Sequence, residues 1–323
     1  MDSRVSEPEG FDVTALGELV IDLVPAATAE GGLNFTAKPG GAPGNVAAGV
    51  ARLGLKAAML SRVGPGALGD LLIDTLAGAG VDTAAVGRAV HEPTALAVVA
   101  VSASGERDFA LYREGCADAA LGPEDVPLAL IRSSRVLHVG SLSLATPQSG
   151  AAQRLAVATA QQAGTLVSAD VNFRPAFWRN RDAMLGTGRE AVAGADIVKV
   201  SAEELALLGG TDDVAAAAAA LWHPRLRLLA VTHGAAGAEL FTPRDRVAVP
   251  GFAVPVVDTV GCGDAFMAAL LAGLLELDGA APTAADLRRI GQFASAAGAV
   301  MAGVAGAMQA MPTRPAIAAL LAG

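Results

Sequence analysis

Tyrosine occurs once, tryptophan twice and cysteine twice in 323 residues, and aromatic side chains make up only 4% of the chain. So few aromatics leave little to spare for stacking a nucleobase. The two cysteines, Cys116 and Cys262, give neither a disulfide framework nor a zinc-ligand spacing, and a reducing cytoplasm is the simplest location. Basic residues are scarce as well. Lys and Arg number 23 against 32 Asp and Glu, for a net charge of −9. That balance argues against a nucleic-acid partner, which needs clustered cations. No apolar run is long enough to span a bilayer, so no membrane partner is expected. The start, MDSRVSEPEGFDV, lacks the basic and apolar regions of an export signal. Two nucleotide motifs are also missing. No Gly-Lys-Ser/Thr follows the Gly-rich stretch near the N-terminus, and its glycine spacing is wrong for a dinucleotide fingerprint.

What is present is a chain of alternating strand-like and helix-like segments. FDVTALGELVIDLVP reads as a strand that continues past a glycine; GNVAAGVARLG reads as a helix and KAAMLSRVG as a strand. TALAVVAVSASGERDFALYRE breaks the alternation with two β-rich runs around ASGE, a hairpin signal. From Ser134 onward strands and helices alternate again, and the end is helical. The pattern predicts a parallel sheet with helices on both faces, with the hairpin as an appendage, a lid.

Two constellations carry chemistry. PGGAPGNVAAGVARLG places Gly40, Gly41 and Gly44 before a helix, with Asn45 at its start. These residues form either a backbone cradle with an amide that donates and accepts, or a Gly-rich turn with an Asn cap. The second is DTVGCGDAF, Asp258 to Phe266, ahead of the apolar run FMAALLAGLLEL. Gly261, Cys262 and Gly263 then fall at a helix N-terminus, where free N–H groups and the macrodipole favour an anion. Asp264 beside an anion site repels the anion, unless it works as a general base. An anion hole paired with a base suits phosphoryl transfer to a hydroxyl.

Taken together, GGAPGNVAAGVARLG and DTVGCGDAF resemble the paired signatures of the PfkB, ribokinase-like, carbohydrate kinase family, in matching order and separation over nearly all the chain. GELVIDLVP, VGSLSLATP, DVNFRPAFW and VKVSAEELALL resemble fructokinases in particular. The resemblance implies a three-layer α/β/α sandwich with a mainly parallel central sheet. It implies one domain, 1–323, with a small β-rich lid from segments near 17–38 and 83–114. It also implies ATP and Mg2+ as cofactors, K+ as a further ion, a sugar or sugar acid as acceptor, and a homodimer formed through the lid.

Roles carry over position by position. Asp264 matches the catalytic base, and Gly261, Cys262 and Gly263 match the anion hole. Asp22, Gly40, Gly41, Asn45, Tyr112, Arg113, Asn172 and Arg174 match sugar-binding positions. Lys199, Thr232, Gly234, Gly237 and Ser295 match the nucleotide pocket. Glu204 matches the acid of a magnesium motif that acts through water, with Ser201 where the family has Asn. Asp258, with carbonyls around Val260, Val300 and Gly303, matches a monovalent-cation site. His138 reads as a core residue and Trp178 as packing. A redox role for Cys262 would need a depressed thiol pKa.

Fructose is the leading acceptor. The alternative is 2-keto-3-deoxygluconate, whose carboxylate would want a bidentate Arg, with Arg107, Arg113 and Arg174 available. A non-catalytic, kinase-like scaffold would be expected to lose the base or the anion-hole glycines, and both are present.

Overall fold

The computed structural model describes residues 10–26, 34–101, 107–175, 178 and 180–323. The ASGE turn of the expected hairpin lies outside these residues, as does the side chain of Arg107. In the first half of the chain the strands are β1 (Val13–Leu16), β2 (Val20–Ala26), β3 (Asn34–Gly40), β4 (Ala57–Val63), β5 (Val81–Asp82), β6 (Val86–Arg88), β7 (Ala95–Val101), β8 (Arg107–Tyr112) and β9 (Val136–Gly140). Then come β10 (Leu166–Asp170), β11 (Ile197–Ser201), β12 (Leu228–Thr232), β13 (Gly237–Phe241) and β14 (Arg246–Pro250). The large sheet runs β14-β13-β12-β11-β10-β9-β1-β4-β5, with β6 beside β4. It is parallel from β12 to β5 and antiparallel at β12–β13 and β13–β14. A second sheet, β3-β2-β7-β8, stands apart from it.

Helices cover both faces of the large sheet. One layer holds α1 (Ala42–Arg52), α2 (Ala67–Gly78), α8 (Cys262–Leu275), α9 (Ala284–Ala302) and α10 (Arg314–Ala322); the other holds α3 (Leu128–Ser133), α4 (Pro147–Ala163), α5 (Arg181–Gly194), α6 (Ala202–Gly209) and α7 (Val214–Leu221). Strand alternation sorts side chains between the two cores. Val136 and Ile197 join the α1/α8 side; Leu137, Val139, Val167, Ala169, Val198 and Val200 join the other. The same alternation aims His138, Asp170 and Lys199 at the α8 side. This is how a polar cluster arises beneath that helix.

The structure corrects one expectation. FDVTALGELVIDLVP is two strands in two sheets, broken at Gly17–Leu19. Gly17 lies against the Pro43 ring, and a Cβ there would overlap it. The chain therefore leaves the large sheet at this point and rises into the small one. Within the expected 83–114 segment, β6 pairs with β4 of the large sheet, and only β7 and β8 belong to the small one.

Candidate active site

The carboxyl ends of parallel strands are where α/β sheets bind ligands. A cavity of about 670 Å³ lies there, walled by the small sheet, the starts of α1 and α8, and the loop after β10.

Helix α8 forms because its sequence is apolar on all sides, and eleven of its fourteen residues are buried. Gly261 caps it in the left-handed region, φ 80°. A side chain there would be strained, and its Cβ would press on Met311 and Met301. The first N–H groups of a helix have no intrahelical acceptor, so this turn presents donors to the cavity.

Asp264, in that first turn, is buried. Asn45 Nδ2, from α1, donates to its Oδ2 at 2.7 Å. Asn45 Oδ1 is left buried without a partner, an acceptor beside the cavity. Burial, and then Asp170, push the Asp264 carboxyl up to about 6; the Asn45 bond, Lys199 and Arg174 pull the other way. A carboxylate with that value is ionised at neutral pH and basic enough to take a hydroxyl proton.

Asp22, on β2, also lines the cavity and is pushed up to about 6, by burial first. Gly40 lies at its side: a Cβ there would come within 2.7 Å of Asp22 Oδ2. Gly41, φ 109°, lies against the backbone carbonyl of Glu18 and takes a conformation that side chains avoid. Asn172 and Arg174 line the opposite wall, Asn172 at φ 44°. Arg174 Nη1 donates to the Phe173 carbonyl.

Several expected residues are placed elsewhere. Tyr112 is 62% exposed and is not a cavity residue. It pairs with Leu96, whereas the neighbouring pair Ala97–Leu111 faces the cavity, so alternation sends Tyr112 to the other side of the small sheet. Arg113 is buried behind the wall. Its Nε donates to Asp118 and its Nη1 to the Leu142 carbonyl at 3.3 Å. Lys199, expected at the nucleotide, is buried beneath the first turn of α8 and gives both oxygens of Asp170 a hydrogen bond, at 3.1 and 2.9 Å.

Thr232 ends β12, and Gly234 and Gly237, both at positive φ, form the turn into β13; none of the three lines the cavity. Ser295, on α9, has a buried Oγ without a partner. Glu204 accepts the Phe173 N–H at 2.6 Å and the Ser201 N–H at 2.8 Å. Ser201 returns a bond to the Glu204 N–H, closing a capping box on α6, which gives the Ser-for-Asn change a structural role. Asp258 lines the cavity and accepts the Val260 N–H. The loop it belongs to is tied to the Ala302 carbonyl at the end of α9. The Cys262 thiol is pushed up to about 11, by burial and then by Asp264 and Asp258, so it stays protonated and unreactive.

Two acids escaped the sequence reading. Asp170 ends β10, 1% exposed, on the cavity floor. Glu18 lies just before β2, 6% exposed, also on the wall. The signal for each was an acid among buried apolar residues at a strand end. His138 and Trp178 line the cavity as well. His138 Nδ1 bonds Ser168 Oγ at 2.9 Å, and burial holds the ring down to about 3, so it is neutral.

A profile for pfkB family carbohydrate kinase matches residues 11–314. Fructokinase-2 of Solanum lycopersicum is 37% identical over 318 residues, 96% of each chain. The crystal structure of fructokinase with bound ATP from Xylella fastidiosa superposes with a TM-score of 0.86 at 33% identity, over 96% of this chain and 98% of that one. Fructokinase from Vibrio cholerae O395, in a fructose-, ADP- and calcium-bound form, gives a TM-score of 0.83 at 32% identity, over 96% and 99%. The likeness runs through both sheets and both signature stretches. The chain belongs to the pfkB family of carbohydrate kinases and is an ATP-dependent sugar kinase of ribokinase-like fold.

Proposed function

We propose that the protein is a fructokinase, transferring the γ-phosphoryl group of ATP to a hydroxyl of fructose. The observation that carries this reading is the Asn45–Asp264 contact at the head of α8. It sets a base and an unpartnered amide oxygen beside the donors of a helix N-terminus. A sugar hydroxyl placed there can give its proton to Asp264 while another donates to Asn45 Oδ1. Asp22 and the Gly41 backbone bind further hydroxyls. The likeness to fructokinases supports fructose as the acceptor.

The α8 N–H groups hold charge on the transferred phosphoryl group, and Arg174, whose charge reaches both Asp22 and Asp264, adds to that field. Thr232, Gly234, Gly237 and Ser295 receive the nucleotide. Among the described residues no cluster of three or more His, Cys, Asp or Glu offers a metal cage. That fits magnesium, which keeps several waters and binds through substrate phosphates. Glu204, both oxygens already accepting backbone N–H groups, retains lone pairs for such a water. Bound magnesium shields the phosphate charge. Asp258 and the carbonyls near it are the candidate holders of a monovalent cation. The small sheet acts as a lid that excludes water as a competing acceptor.

A panel of ketoses, aldoses and sugar acids with ATP and magnesium, reading ADP release, tests this. Fructose should give the highest kcat/KM. Faster turnover of 2-keto-3-deoxygluconate would overturn the substrate, and no release with any acceptor would overturn the reaction.

A further inference from the structure

Glu18 is a buried carboxylate that the phosphoryl-transfer chemistry does not use. It lines the cavity wall beside Val20, Asp22 and Gly41, and its Oε2 is fully buried with no hydrogen-bond partner. The rest of its surroundings is committed. The backbone N–H groups of Glu18 itself and of Ala42, the first residue of α1, favour the ionised carboxylate. Gly41, which has no side chain, cannot cap that helix, and it lies against the Glu18 backbone.

The nearby cation is Arg113, whose guanidinium is taken by Asp118. Two carboxylates therefore share one guanidinium, and this end of the cavity carries a net charge of about −1 at full ionisation. Three atoms of the cluster are buried without partners: Glu18 Oε2, Arg113 Nη2 and Asp118 Oδ1. Of the three residues, only Glu18 lines the cavity.

We propose that Glu18 is a specificity-determining residue, whose free oxygen accepts a hydrogen bond from a hydroxyl of the acceptor and whose charge rejects acceptors that bring a carboxylate to this end. The inference rests on the sugar-kinase reading and deepens it by naming the class: an uncharged polyol rather than a sugar acid. Arg113, expected to clamp a sugar acid, is held by Asp118 and does not line the cavity. A hydroxyl donor is what this oxygen lacks. Burial pushes the carboxyl up to about 7, with Arg113 opposing and Asp118 adding, which is the cost of leaving that oxygen unsatisfied.

The test uses the full-length enzyme. Glu18→Gln keeps the shape while removing the charge. The KM for fructose should rise about tenfold or more, the usual range for a hydrogen bond to a charged group, with the KM for ATP within about twofold. The kcat/KM ratio of fructose to 2-keto-3-deoxygluconate should fall about tenfold. A fructose KM and a substrate ratio both unchanged, with a lowered Tm, would reduce Glu18 to a structural residue and overturn the inference alone. A wild-type enzyme that releases no ADP with any acceptor would overturn the sugar-kinase reading itself. A second variant leaves Glu18 untouched. Asp118→Asn raises the local charge by one and frees Arg113 to meet Glu18, so turnover of the sugar acid relative to fructose should improve. No change in that ratio would also overturn the inference.

Discussion

Lys199 Nζ sits where a side chain on Gly263 would go: a Cβ added at Gly263 would fall 2.7 Å from it. The third residue of GCG is small because a buried ammonium, fixed by Asp170, fills the space beneath the first turn of α8. The ion pair has its positive end toward the anion-binding turn. Both of its charges act on Asp264, in opposite senses.

Asp264→Asn keeps the shape and removes the base. Its kcat should fall about 100- to 10,000-fold. Binding of an ATP analogue should be unchanged or tighter, since a negative charge leaves. A near-normal kcat would end the general-base assignment.

The acid limb of the kcat profile should report the Asp264 carboxyl near 6. The base works only when ionised, so activity falls as pH drops through that value. Asp170→Asn removes the neighbouring charge that raises it, and the limb should move to lower pH. Lys199→Met removes a charge that lowers it, and the limb should move up. Misfolding alone would lower the amplitude without displacing the limbs in opposite directions, so kcat–pH curves at saturating substrates decide the point.

Thermal stability of the ligand-free enzyme should run against the usual acid trend. Glu18 is pushed up to about 7, and Asp22 and Asp264 to about 6. Between these values and ordinary carboxyl values the native state holds protons that the unfolded chain has released. Stability therefore rises as pH falls through that window. A scanning-calorimetry Tm several degrees higher at about pH 5.5 than at about pH 8 is the expected result. A lower Tm at the acidic point would show that these carboxyls are not raised.

Glu204→Gln replaces one acceptor oxygen with an NH2 group facing a backbone N–H, either that of Phe173 or that of Ser201. It should cost about 1–3 kcal/mol in urea unfolding. It should also raise the magnesium concentration needed for half-maximal rate. A magnesium titration that matches wild type would remove Glu204 from the metal's water shell.

Much of this was legible before any coordinates. Gly-rich turns ahead of apolar helices located both halves of the site, because glycine and a helix start leave a local imprint. Residues whose meaning depends on a partner were harder. Arg113 and Tyr112 sit next to each other on a strand end, and sequence spacing could not say that alternation turns Tyr112 outward or that Asp118 claims Arg113. Asp170 and Lys199 lie 29 positions apart, so only the parallel pairing of β10 with β11 makes them a pair. The break at Gly17 was hidden because apolar residues continue on both sides of it, and hydrophobicity does not record a change of sheet.

The hydrogen bond between Asn45 and Asp264 joins residues 219 positions apart. Its two helices pack directly on one another, and α8 is flanked by α9. On the ribosome, every strand of the large sheet emerges before α8 does. Until then α1, which packs on β1, β4 and β9, lacks the helix that packs against it. The nascent chain therefore passes through an interval with the strands made and one helical layer incomplete, a state prone to self-association and suited to a chaperone. The catalytic centre is itself a long-range closure of the fold, so activity during refolding should appear only once α1 and α8 have docked.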